Sequence, residues 1–211
     1  MLKKTVSGFF AGTMISIGGC VFLSLAGTSR IVGAILFSVA LLCICLQGYS
    51  LYTGKIGFIL SDHSSEAVST LLFGLIGNFI ATLIFGIALG YAIPSIKYVA
   101  IGICEAKLDQ ELLAAFIRSC FCGMLMYQAV SIFKNHNKNL VGILFCIPVF
   151  ILSGFEHSIA NMFYFSAAGI FSANVVIYIL VVILGNSVGA IMFDLPSVFK
   201  KAQERSSDEK H

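Results

Sequence analysis

The chain has 211 residues, of which 58% are hydrophobic and only 11% charged, whereas an ordinary soluble domain carries about a quarter charged residues. Lipid, not water, is therefore its main solvent. The formal net charge of +3, with no basic patch interleaved with exposed aromatics, excludes nucleic acid as a partner.

Charge-free stretches cover 5–29, 31–54, 67–96 and 158–193, each long enough for the roughly 20 apolar residues of a membrane-spanning helix. The first span is placed at 5–27. The Met-Leu-Lys-Lys start also fits a signal peptide, but the apolar run exceeds the roughly 7–15 residues of a signal core and similar runs follow. It is therefore read as a span. Five more are placed at 32–60, 67–91, 108–133, 139–166 and 171–193. Six spans put both termini on one side. Lys3, Lys4, Lys55, Lys134, Lys138, Lys200, Lys201 and Arg205 fall in or near the termini and the second and fourth loops, against Arg30, Lys97 and Lys107 opposite. The positive-inside rule then puts both termini in the cytoplasm. The membrane domain is 1–199, and 200–211 is a short charged tail expected to fray in solvent.

Seven cysteines (Cys20, Cys43, Cys45, Cys104, Cys120, Cys122, Cys146) lie almost entirely inside the apolar runs, where cysteine acts as a small hydrophobe. The pairs Cys43/Cys45 and Cys120/Cys122 have no His or carboxylate neighbours, so no metal or other cofactor is expected.

Two spans are interrupted: span two by Gln47-Gly48-Tyr49-Ser50, and span five by Ser153-Gly154-Phe155-Glu156-His157. At membrane depth, irregular backbone survives only where it is buried in protein or lines a wet cavity. Paired interruptions in two halves point to a transporter's binding site; here each falls in the second helix of a three-helix half. Gly77-Asn78-Phe79-Ile80-Ala81 in span three echoes Gly185-Asn186-Ser187-Val188-Gly189 in span six. Because three is odd, the second half is an inverted copy of the first. The expected fold class is an all-α polytopic membrane protein with six transmembrane helices in two inverted three-helix repeats. Gly48 alone could simply let neighbouring helices pack closely. That reading fails at the second interruption, where a charged side chain facing lipid costs on the order of 2.5–3.5 kcal/mol. Glu156 and His157 must face protein or water.

Residues 153–162, Ser-Gly-Phe-Glu-His-Ser-Ile-Ala-Asn-Met, resemble the signature of the formate/nitrite transporter family, in which a broken fifth helix carries a central histidine. Gly48-Tyr49-Ser50-Leu51-Tyr52-Thr53-Gly54 resembles the family's loop breaking the second helix. The two Gly-Asn pairs, Arg118 and Cys122 also fit, and the resemblance runs over about 5–193. It implies that 1–199 is a channel domain: an aquaporin-like protomer with broken helices two and five, assembled into a homopentamer with one pore per protomer. On this resemblance Phe37, Leu41 and Phe150 form a periplasmic constriction and Leu51, Tyr52 and Met126 a cytoplasmic one, with His157 and Thr53 between them. Lys107 matches the vestibule lysine that draws an anion toward the pore mouth. Gly48, Gly154, Asn78, Asn186 and Arg118 are structural. Gly123 stands where the family usually has an asparagine sharing the central hydrogen-bonding site, which leaves the polar ring around His157 incomplete or water-filled. Tyr52 replaces the more usual phenylalanine, and the long amphipathic N-terminal helix of many members is absent.

The implied function is a channel for a small monovalent anion, formate on family frequency, with nitrite or hydrosulfide as alternatives. The expected partners are that anion, a proton, the lipid bilayer of the inner membrane and further copies of the chain. A bare anion crossing a dry ring loses hydration with no cation to replace it, so passage as the neutral acid is expected. A carboxylic acid of pKa near 4 is only about a thousandth protonated at pH 7; desolvation raises its effective pKa, and His157 is the proton partner. Glu156 is expected to orient the His157 ring or tune its basicity. Lys107 has a second reading as the partner of Glu111 one helical turn later, and Arg118 is expected to bond carbonyls or Glu156. A membrane-embedded enzyme lacks a second histidine at depth, since His63 and His136 lie in loops and His211 in the tail. An aquaporin-like channel for small neutral solutes is the remaining rival, against which Lys107 argues because such solutes need no electrostatic funnel.

Overall fold

A computed structural model describes residues 1–208, with side chains as far as Lys200; the end of the expected tail, 209–211, lies outside the described residues. All regular structure among them is helical: α1 (Leu2–Leu25), α2 (Arg30–Gln47), α3 (Tyr52–Lys55) continued by a 3-10 turn (Ile56–Ile59), α4 (Ser65–Ala92), α5 (Pro94–Leu108), α6 (Leu112–Asn135), α7 (Val141–Leu152), α8 (Ser158–Ala168) and α9 (Ala173–Asp208). Helices α1, α2, α4, α6 and α9 are each long and apolar enough to cross a membrane. The 12 residues of α7 are not, because at about 1.5 Å per residue they fall short of the ~30 Å hydrocarbon core; α8 follows the break to complete that crossing.

Small residues draw the helices together. In the first half α1 lies against α4 so closely that a Cβ on Gly77 would sit 2.1 Å from the Thr5 carbonyl oxygen. In the second half α6 meets α9 in the same way, and a Cβ on Gly189 would lie 1.9 Å from the Cys120 carbonyl. Without a hydrophobic drive between helices in lipid, backbone approach of this kind supplies the packing energy. Large apolar side chains such as Leu72, Leu113, Phe145 and Leu180 point outward, while Ser16, Asn78, Thr82 and Asn186 are buried.

Both breaks use one device. Gly48 and Gly154 each have φ +70°, a left-handed conformation that favours glycine, and they close α2 and α7 as C-terminal caps in which Tyr49 N donates to Ile44 O and Phe155 N to Phe150 O, both at 3.0 Å. This is the six-to-one bond of a Schellman motif. An asparagine from another helix then holds each exposed segment. Asn78 Nδ2 donates to Gly8 O and Ser50 O at 2.7 and 3.0 Å, and its Oδ1 accepts from Tyr52 N at 2.9 Å. Asn186 Nδ2 donates to Ser119 O and Glu156 O at 2.9 and 2.7 Å, and its Oδ1 accepts from Ser158 N at 2.9 Å. The repeat therefore equates Ser50 with Glu156, Leu51 with His157 and Tyr52 with Ser158, and the two-halves reading holds at the level of single hydrogen bonds.

Two expectations change. The stretch after span three, read as a loop, is helix α5. Pro94 opens it at a first-turn position, where the missing N–H costs nothing, and Ile96, Ala100 and Cys104, four residues apart, are its buried face. Lys107 thereby sits in the last turn of α5, and span four begins at Leu112. The tail does not fray at Lys200, because α9 runs on to Asp208; its Lys, Ala, Gln, Glu and Arg residues are good helix formers that extend a helix already nucleated.

Candidate functional site

His157 is the N-cap residue of α8. Its backbone is extended (φ −107°, ψ 116°) and its Nδ1 accepts the Ala160 N–H at 3.1 Å, taking the role usually filled by a short oxygen side chain. That bond leaves the proton of a neutral ring on Nε2, which lies 2.9 Å from Thr53 Oγ1. The two broken helices thus meet side chain to side chain, with both residues buried. Phe150 stacks on the imidazole at 5.6 Å with 19° between planes, and Phe37 meets Phe150 edge-on at 6.4 Å.

A cavity of about 380 Å³ reaches this histidine from the end of the molecule where α1 joins α2, and Arg30, Lys107, Arg118, Glu156, His157 and Phe150 are among its lining residues. Three cations therefore face one carboxylate. Glu156 is 3% exposed and fully engaged: it is ion-paired to Lys107, accepts from Asn161 Nδ2 at 2.9 Å and accepts from Gln110 Nε2 at 3.2 Å. Gln110 Nε2 also donates to the Tyr178 hydroxyl at 2.8 Å, and its Oε1 accepts from Arg118 at 3.2 Å.

These contacts correct three expectations. Lys107 pairs with Glu156 rather than Glu111, because the carboxylate of the broken helix is buried and needs a cation more than a solvated one does. Arg118 reaches Glu156 only through Gln110. Glu156 makes no hydrogen bond to the His157 ring; consecutive residues on an extended segment point to opposite sides, so its carboxylate turns to α5 while the imidazole turns to Thr53. Removing one member of a buried pair leaves an uncompensated charge, so Glu156→Gln is expected to lower stability by about 3 kcal/mol, read as a fall in the thermal midpoint of the detergent-solubilised protein. Lys107→Met/Glu156→Gln should recover part of that loss.

A second cavity, about 100 Å³, opens from the opposite end and is lined by Leu41, Leu51, Cys45, Lys55, Val130 and Lys134, among others. Leu41 shares this cavity with Leu51 and belongs to the same buried cluster as Phe37 and Phe150. Phe37, Thr53, Tyr52 and Met126 line neither cavity. Tyr52 turns its hydroxyl to Ser187 Oγ at 2.9 Å, and Met126 is buried. Gly123 does not face His157. A Cβ there would lie 2.1 Å from the Asn186 carbonyl oxygen, so glycine serves the α6/α9 approach and no polar ring position is vacant at it.

Sequence reasoning passed over Gln110 and Asn161 as partners of Glu156 and Tyr178 as a partner of Gln110, and used Arg30 only as a topological charge. Asn161 carried a signal, since it falls inside the quoted signature; Gln110 and Tyr178 carried none.

The whole of this architecture has counterparts. A family profile described as formate/nitrite transporter matches residues 1–198. The chain is 27% identical to the uncharacterized transporter YrhG of Bacillus subtilis, covering 89% of this chain and 80% of that protein. It is 24% identical to the nitrite transporter NirC of Escherichia coli (76% and 66% covered) and 28% identical to a probable formate transporter of Methanothermobacter thermautotrophicus (90% and 85%). Among solved structures it is similar to an FNT family ion channel (TM-score 0.82, 22% identity, covering 94% of this chain and 90% of that one) and to a pentameric formate channel with formate bound (TM-score 0.81, 21% identity, 96% and 97%). With broken helices clamped by paired asparagines, a buried histidine between two cavities and a profile match along nearly its whole length, this chain is a membrane transport protein, not an enzyme, and belongs to the formate/nitrite transporter family.

Proposed function

We propose that the protein passes a small monovalent anion, formate in the first place, through each protomer as its conjugate acid. The observation that carries this reading is His157: a buried ring of fixed tautomer at the floor of a cavity whose lining holds Arg30, Lys107 and Arg118 against Glu156. The surplus of cations concentrates anions at the cavity mouth by steering. Between the two cavities, Phe150, Phe37, Leu41 and Leu51 offer no cation, and a bare anion there carries a penalty of several kcal/mol. Desolvation raises the pKa of the anion's own acid, and the Nε2–H of His157 is the donor that meets it. The Thr53 hydroxyl accepts the Nε2–H and keeps its own proton free to donate. Nitrite is the runner-up anion, because a nitrite transporter and a probable formate transporter are about equally similar to this chain.

The same reading makes the protein a homopentamer of the inner membrane, in line with its likeness to a pentameric channel. Both termini then face the cytoplasm, with 1–199 as the channel domain and 200–211 as a charged cytoplasmic tail. The test is stopped-flow influx of formate, nitrite, hydrosulfide and glycerol into proteoliposomes at two external pH values. Formate influx through the wild type is expected to rise roughly tenfold per unit fall in pH, following the neutral acid. His157→Asn should bring it close to that of protein-free liposomes. Glycerol influx without anion influx would replace this reading with a neutral-solute channel.

A further inference from the structure

The cavity beyond the histidine barrier has a chemistry of its own. Lys55, in the last turn of α3, and Lys134, in the last turn of α6, line it together with Leu41 and Leu51. The same two lysines also line an adjoining cavity of about 230 Å³. Both cavities lie at the end of the bundle that carries the α1 N-terminus, with Lys4 paired to Glu66 close by at 2.8 Å.

Lys55 is half-buried and Lys134 exposed; two ammonium groups lining the same cavities repel each other, and a nearby carboxylate would offset that repulsion. Here none is within ion-pair distance. Among the described residues the only ion pairs are Lys4 with Glu66 and Lys107 with Glu156. The carboxylates that line the adjoining cavity are Asp62 and Glu66; Glu66 is held by Lys4 and Asp62 accepts the Ser64 N–H at 3.2 Å. Lys134 Nζ rests 3.8 Å from the centre of the Phe58 ring, a contact that orients the ammonium without neutralising it. The backbone presenting Lys55 is fixed from below: Ser61 Oγ donates to Asp194 at 2.8 Å, and Tyr127 donates to the same carboxylate. The two lysines therefore share both cavities and neither is ion-paired among the described residues; of the carboxylates lining the adjoining cavity, Glu66 is taken by Lys4 and Asp62 lies beyond ion-pair distance of both.

We propose that Lys55 and Lys134 form an anion-binding station at the inner mouth, taking a small monovalent carboxylate or nitrite between them. This assignment rests on the channel reading and deepens it. An acid that has crossed the apolar barrier meets two cations just past Leu51; they stabilise its ionised form and favour loss of the proton there. The outer and inner cavities thus carry cations in different settings: an outer set in which Lys107 is ion-paired to Glu156, and an inner pair in which neither lysine has an ion-pair partner among the described residues. The repeat does not generate this difference, since Lys55 lies just past the Leu51 position that His157 matches.

Cyanate tests the station, because it is a monovalent anion of formate's size whose acid adds across a lysine amine to give a stable urea with nothing lost. Peptide-resolved mass spectrometry of the solubilised full chain gives the carbamoylation rate at each lysine, with sodium formate or sodium nitrite against sodium gluconate at equal ionic strength. Protection should slow Lys55 and Lys134 severalfold, since a site filled at ten times its dissociation constant is about nine-tenths occupied, and should leave the exposed Lys97 and Lys138 unchanged. Equal rates at Lys55 and Lys134 under all three salts overturn the station. Proteoliposomes from the same preparation report separately on the channel: formate influx without protection removes the station and leaves the channel, whereas absence of formate and nitrite influx removes the channel reading and the station with it. Lys55→Gln/Lys134→Gln should raise the half-saturating formate concentration severalfold and Lys55→Arg/Lys134→Arg should restore it; equal values for all three proteins also overturn the proposal.

Discussion

Asn186→Ala is expected to abolish a stable fold of the second half. The side chain supplies three hydrogen bonds at zero exposure, and each links a different piece of the break: the carbonyl of Ser119 on α6, the carbonyl of Glu156 and the N–H of Ser158. Alanine leaves the Glu156 carbonyl and the Ser158 N–H buried without partners, at about 1–3 kcal/mol for each, and removes the second bond to the Ser119 carbonyl, which keeps its intrahelical one. A total of several kcal/mol is comparable with the whole net stability of a domain. Lipid-depth burial removes the usual escape, because water is not there to replace the lost partners. Thermal unfolding of the solubilised protein, followed by size-exclusion peak height, should show Asn186→Ala as the most destabilised single variant. Asn78→Ala should lie close behind it, since Asn78 supplies three equivalent bonds to the first break. Midpoints within a degree or two of the wild type would mean that the breaks hold themselves and that the asparagine clamps are incidental.

That pair of asparagines shows what a sequence can and cannot disclose. The echo between Gly77-Asn78 and Gly185-Asn186 was visible, as were both breaks, because a glycine among polar residues inside an apolar run has few explanations in lipid. The role of each asparagine was not visible, because it bonds a segment about thirty residues away and only the repeat brings them together. The same holds for Glu156. Its need for a cation was legible from its depth; that Lys107 would answer, with Gln110 and Asn161, depended on where α5 lies. Helix α5 itself was hidden because only three of its residues are buried, too few to stand out beside spans that are apolar on every face. Leu41 could be assigned only through the resemblance for a related reason: apolar side chains dominate α2, so composition holds no mark of which of them faces a cavity.

Gly123→Asn is the sharpest separation of the two readings of the central site. If glycine there left a gap in a polar ring around His157, asparagine would fill it, and the variant would fold normally and conduct formate at least as well as the wild type. The geometry predicts the opposite. A Cβ at position 123 would lie 2.1 Å from the Asn186 carbonyl oxygen and 2.8 Å from its carbonyl carbon; these are backbone atoms that cannot turn aside. Helices α6 and α9 would have to separate, at an overpacking cost of about 1–3 kcal/mol, and the strain falls on the residue whose side chain clamps the second break. Gly123→Ala already introduces the offending atom, so alanine is expected to lose most of what asparagine loses. Comparing thermal midpoints and formate influx for both variants distinguishes the cases. A stable Gly123→Ala with an improved Gly123→Asn would restore the polar-ring reading. Parallel losses in both, with His157 and Thr53 untouched, would fix glycine at 123 as the contact that lets α9 carry Asn186 to the broken helix, and so as a condition for the histidine being held at all.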